Sequence, residues 1–180
     1  MRRRGLLLAV LPLALSARAQ SGLGPEWHGA YWGAVRYYRA IPLEDIYPPP
    51  ERPHVDVADA TPIAVQFSVL SDGGGTVVWL RIDGGPMQTS EQGEELHFGA
   101  MDNGVALLAG AQGHPKPRSA SLTVRPELLG TEALFTHADG SFWRRHFTAR
   151  FTPTGADLIL WVFDAAGTRA RTWRGGALRR

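Results

Sequence analysis

Apolar and polar positions alternate along most of the chain in short runs, and glycine or proline interrupts them every few residues. No apolar period of 3.6 residues persists beyond about two turns, so no amphipathic helix is expected. Ten β-strands are predicted instead, at Ala30–Arg39, Ile63–Leu70, Thr76–Ile82, Glu94–Ala100, Val105–Ala109, Ala120–Val124, Ala133–His137, Phe142–Phe151, Asp157–Phe163 and Thr168–Arg174. The connectors carry hairpin chemistry. Asn103-Gly104 and Asp139-Gly140 stand where a tight turn needs positive φ, and Ser71-Asp72-Gly73-Gly74-Gly75 joins two β-rich runs. Thr152-Pro153-Thr154-Gly155 and Asp164-Ala165-Ala166-Gly167 punctuate the final three strands in the same way.

Two longer stretches read as loops. Residues 41–62 are Pro-rich and acidic, with a short helical turn expected at Leu43–Ile46, and residues 110–119 form a second exposed connection. Strands in sequence order with short hairpins predict an all-β fold, an antiparallel up-and-down barrel or strongly curved sheet of about 8–10 strands. A two-sheet β-sandwich is the alternative, since strand number alone does not separate the two.

Alternation also sorts the six arginines of the last three strands. From Phe142 to Phe151, Trp143, Arg145, Phe147, Ala149 and Phe151 share one face, and Arg144, His146 and Arg150 share the other. The first face is expected inside and the second in water, which sets Arg145 among aromatic rings. An inward guanidinium requires an acid, a ligand or water beside it. The following strand is apolar on both faces, so Trp161 and its neighbours call for a cover outside. In the last strand Arg171 and Trp173 share a face opposite Thr172 and Arg174, and which face points inward depends on register.

The first strand, WHGAYWGAV, holds Gly29-Ala30-Tyr31, an aromatic variant of the G-x-W motif that opens the first strand of lipocalins. Lipocalins lay an arginine from the final strand on that ring, a place for Arg171 or Arg174. Arg171-Thr172-Trp173 is similar to the Arg-x-Tyr pair with which fatty-acid-binding proteins hold a ligand carboxylate, although tryptophan lacks the hydroxyl. The chain therefore resembles the calycins, and the resemblance implies a barrel that encloses a small ligand.

Residues 1–19 have a three-arginine start, an apolar stretch of about ten residues and Ala17-Arg18-Ala19, the layout of a secretory signal peptide. Its apolar part is too short to span a bilayer. Residues 20–180 are then one domain, exported to the periplasm or secreted, with no membrane span left. The whole chain has a formal charge of +2. Loss of Arg2, Arg3, Arg4 and Arg18 with the signal takes it to about −2, which argues against a nucleic-acid partner. Charge is uneven along the remainder: residues 20–115 hold four basic and twelve acidic side chains, residues 116–180 eleven basic and five acidic. The absence of cysteine removes disulfides, thiol nucleophiles and thiolate metal sites.

Candidate chemistry is sparse. The six histidines form no metal-binding spacing. The serines lack a nucleophile-elbow context, and SDGGGT lacks the lysine and helix of a phosphate loop. Glu94-Glu95 lies beside a turn and is expected to be solvated. A haem-binding barrel similar to nitrobindins would need an inward axial histidine, for which His97 and His146 are the strand residues available. No cofactor or metal is otherwise expected, and binding ranks ahead of catalysis. The leading expectation is a barrel holding a small apolar or amphipathic molecule, with an anionic head group as one variant. Trp79, Trp143, Phe147 and Trp161 would wall its cavity, with Arg145 or Arg171 at the polar end. The alternatives are a structural or interaction module with a filled core, or a small isomerase or lyase on the same scaffold.

Overall fold

The computed structural model describes residues 23–42, 61–164 and 169–180. The expected signal peptide, most of the Pro-rich loop with its helical turn, and the turn at 165–168 lie outside these residues. All ten predicted strands form: β1 (Gly29–Pro42), β2 (Ile63–Asp72), β3 (Gly75–Asp83), β4 (Glu94–Phe98), β5 (Val105–Gly113), β6 (Ser119–Arg125), β7 (Leu128–Thr136), β8 (Phe142–Thr152), β9 (Gly155–Phe163) and β10 (Arg169–Arg179). Each pairs antiparallel with the next, and β1 also pairs with β10, so the sheet closes into an up-and-down barrel rather than a sandwich. Tyr31 marks the closure, lying opposite Phe67 of β2 on one side and Arg179 of β10 on the other. Among the described residues no helix is long and apolar enough to cross a membrane.

The turns follow from their residues. Asn103 and Gly104 both take positive φ, 50° and 78°, and Asp102 and Val105 exchange backbone hydrogen bonds of 2.8 and 2.9 Å around them. That is the two-residue hairpin in which a right-handed strand twist matches the turn. Three boundaries differ from expectation by four or five residues. β7 begins at Leu128, because Pro126-Glu127 makes the turn and Gly130 stays in the ladder opposite Thr123 and Thr148. β5 continues to Gly113, where residues beyond Ala109 were expected to leave the sheet; Leu96 pairs with Ala111 and Glu94 with Gly113. β10 runs past Gly175-Gly176 to Arg179. A Cβ on Gly175 would lie 1.9 Å from the Ala34 carbonyl oxygen, and one on Gly33 1.9 Å from that of Gly176. Glycine on both strands lets the β1–β10 seam close this tightly.

Alternation then builds the core. Val35, Val65, Val78, Leu80, Leu96, Leu122, Leu129, Leu158 and Leu160 point inward and are fully or almost fully buried. The two ends differ. At the base, a 3₁₀ turn (Pro25–Trp27) folds across the opening. Trp27 stacks on Phe151 at 5.4 Å between ring centroids, and Tyr31 stacks on Phe67 at 4.6 Å. The Trp27 indole N–H donates to the Pro126 carbonyl at 3.0 Å, and the Tyr31 hydroxyl donates to the Trp27 carbonyl at 2.9 Å. The Arg179 guanidinium donates to the carbonyls of Glu26 and His28. The arginine that ties down the base is therefore Arg179, not Arg171 or Arg174. Unlike those two, it stands far enough along β10 to meet the residues preceding β1.

The opposite end carries the mouth. Residues 84–93 connect β3 to β4 and fold back over it. Gly84 and Gly85 take φ of 130° and 72°, which turns the chain inward and sends Met87 into the core with no exposed surface. Thr89 holds the loop by pairing with Ile82, its N–H donating to the Ile82 carbonyl at 3.0 Å and its hydroxyl accepting from the Ile82 N–H at 3.0 Å.

Candidate functional site

A cavity of about 550 Å³ opens at the mouth. Its apolar surface comes from Tyr37 of β1, Pro86 of the 84–93 loop, Trp143 of β8, and Val162 and Phe163 of β9. His137, Asp164 and Arg171 supply its polar atoms. Trp143 contacts two rings, stacking on Phe135 at 4.3 Å and lying 5.9 Å from the His137 ring. Tyr37 packs against Trp173 at 5.3 Å.

Register settles the two arginines that were expected to reach the interior. Arg145 lies opposite Val162, and Val162 lies opposite Arg171, so the three form one row across β8, β9 and β10. Trp173, two residues beyond Arg171, sits opposite the fully buried Leu160, which orients that face of β10 inward. Both arginines thus belong to the inner wall, two strands apart, roughly 10 Å between their Cα atoms. Their surroundings differ. Arg171 is exposed to the cavity and pairs with no carboxylate among the described residues.

Arg145 has no exposed surface and forms an ion pair with Glu94, whose side chain is equally buried. Glu94 is thus not solvated, as its place beside a turn had implied. It shares a face with Leu96 and Phe98, and alternation carries it inside. The Arg145 guanidinium also lies 5.0 Å from the centroid of Phe135, adding a cation–π contact. The pair is incompletely satisfied: Glu94 Oε2 and Arg145 Nε and Nη1 have no hydrogen-bond partner among the described residues. Burial pushes the Glu94 carboxyl above its ordinary range, and the neighbouring guanidinium opposes that shift without cancelling it.

The remaining expected site residues separate. Phe147 faces inward but lies deep in the barrel, edge-on to Phe67 at 5.1 Å, within the packed aromatic cluster of the base. Trp79 and Trp161 face outward and so wall no internal cavity. Trp79 alternates with the buried Val78 and Leu80, and its indole N–H donates to the Gln92 carbonyl at 2.9 Å on the outer surface. Trp161 alternates with Leu160, and His146 covers it from outside, 6.1 Å from its ring and 5.0 Å from that of Phe163. This histidine supplies part of the cover that the doubly apolar strand required. Burial against these rings lowers the His146 pKa; the Glu132 carboxylate opposes the shift and Arg144 adds to it.

His97 also faces outward, 2.6 Å from Glu95 on the same face of β4. Neither strand histidine therefore points to the interior, where an axial ligand to an internal haem would have to stand. Glu94, Tyr37 and His137 are among the site residues that sequence reasoning missed, with Pro86, Val162, Phe163 and Asp164. Alternation marked Glu94, since it stands two and four residues before core positions. No sequence signal marked Tyr37 and His137, which reach the mouth only because the barrel closes.

No protein-family model matches the chain, and a comparison with curated proteins finds no match to it.

Proposed function

We propose that the protein is an exported, calycin-like barrel that binds a small amphipathic anion in the cavity at its mouth. The observation that carries this reading is Arg171. Its guanidinium belongs to the inner wall of a cavity of about 550 Å³, beside Trp143 and Val162, and makes no ion pair among the described residues. A volume of that size suits a small molecule, and the lining sets an apolar wall beside His137, Asp164 and Arg171, a mixed character that fits an amphipathic one. A guanidinium offers a carboxylate two parallel charge-assisted hydrogen bonds. His137 stands at the same rim as a second donor. The packed aromatic cluster around Phe67, Phe147 and Phe151 confines the ligand to the mouth half of the barrel.

Titration with octanoate, followed by tryptophan fluorescence, tests the proposal, because the Trp143 ring lines the cavity. Saturable binding is expected. Arg171→Gln should weaken it about 10-fold to 100-fold, the worth of one hydrogen bond to a charged group. Octanol, which lacks the charge, should be insensitive to that substitution. No saturable response to octanoate, or equal affinity of the wild type and the Arg171 variant, would refute the reading.

A further inference from the structure

We propose a second polar site behind the mouth cavity, in which the Glu94–Arg145 pair receives a neutral head group that both accepts and donates hydrogen bonds, a carboxamide or lactam. The inference rests on the mouth cavity being a ligand site and names the chemistry of the ligand's inner end. Three observations support it. The first is unused hydrogen-bonding capacity. Among the described residues Arg145 Nε and Nη1 are donors without acceptors, and Glu94 Oε2 is an acceptor without a donor, although both side chains are completely buried. Buried polar atoms are normally paired, and three orphans on one ion pair call for an occupant.

The second is charge. Glu94 already neutralises Arg145, so an incoming anion would gain attraction from one partner and meet repulsion from the other. A carboxamide matches the pair without adding charge: its oxygen accepts from the guanidinium, and its N–H donates to the carboxylate. Arg145 is thereby distinguished from Arg171, which forms no ion pair among the described residues and suits an anion.

The third is position. Val162, the cross-strand partner of Arg145, lines the mouth cavity, as does Trp143, two residues away on the same face of β8. Contacts run without a break from the rim to the pair: His137 on Trp143, Trp143 on Phe135, and Phe135 under the Arg145 guanidinium. One packed ring, Phe135, separates Trp143 from the pair, so a flat head group lying against Trp143 must displace that stack to reach the orphan atoms.

The test uses the full chain with benzamide and benzoate at about pH 8. Tryptophan fluorescence and the NMR resonance of the Arg145 Nε–H are the readouts. Benzamide is expected to bind saturably and to shift that resonance. Glu94→Gln leaves Arg145 without its counter-charge, and should weaken benzamide at least about 10-fold while strengthening benzoate. The double variant Glu94→Met/Arg145→Met removes both charges while keeping apolar bulk. It should lose benzamide and retain octanoate, which guards the test against a Glu94→Gln chain that fails to fold. An unmoved Arg145 resonance, or benzamide affinity unchanged in the double variant, overturns the proposal, and the orphan atoms then hold water alone. Octanoate binding without benzamide binding refutes the inner site and leaves the mouth reading standing; benzamide binding without octanoate binding does the reverse.

Discussion

Replacing Arg145 by methionine probes the energetics of the barrel most directly. The substitution keeps an unbranched apolar chain of similar reach but removes the one hydrogen-bond partner that Glu94 Oε1 has among the described residues. Both side chains are fully buried, so the carboxylate cannot recover water without opening the barrel. Breaking a buried pair from one side costs about 3–5 kcal/mol, because an uncompensated charge remains. Domains of this size have about 5–15 kcal/mol in total, and each kcal/mol moves the midpoint by about 2–4 °C. The variant should therefore melt roughly 6–20 °C below the wild type. Adding Glu94→Met removes the orphan, and the double variant should return to within about 1–2 kcal/mol of the wild type, since apolar replacement of a whole buried pair is often neutral or better. Urea unfolding followed by tryptophan fluorescence measures all four corners of the cycle, and the coupling energy is the decisive quantity. A loss below about 1 kcal/mol for the single variant, or a double variant as unstable as the two singles summed, would show that Glu94 is not held by Arg145.

Two further outcomes follow from other parts of the barrel. Burial lowers the His146 pKa below its ordinary 6.5, so the folded state prefers the neutral ring. Its contribution to stability is full above pH 6.5 and is lost as the pH falls through the lower, folded-state value; melting temperatures between pH 7.5 and 4.5 should fall less steeply in His146→Gln than in the wild type, and parallel curves would contradict this. Gly175→Ala would set a Cβ 1.9 Å from the Ala34 carbonyl oxygen and should cost roughly 1–3 kcal/mol, with hydrogen exchange rising first along β1 and β10; unaltered protection at that seam would show that the strands can part without strain.

Much of the fold was legible because β-structure writes a period of two into the chain, and because turn residues mark where each run stops. All ten strands stood where alternation and glycine placed them. The errors fell at Gly110, Pro126, Gly130 and Gly175-Gly176, where the same residue types serve either as turns or as close-packed ladder positions. The face carrying Arg145 was also legible, since Trp143, Phe147, Ala149 and Phe151 leave it no other side. Trp79 could have been placed outside on the same ground, because it alternates with Val78, Leu80 and Ile82. Its size, rather than its phase, had suggested a cavity wall.

What local pattern determined, then, was which residues share a face. Closure of the sheet decided the rest. β10 has no wholly apolar face, so only its pairing with Leu160 and Val162 shows that Arg171 and Trp173 point inward. Glu94 beside a turn looks like a solvated acid until the chain brings Arg145, 51 residues on, to its side. Local alternation depends on the geometry of a single strand. The partner of a buried charge, the residue that caps the base and the walls of a cavity depend on which distant strands become neighbours.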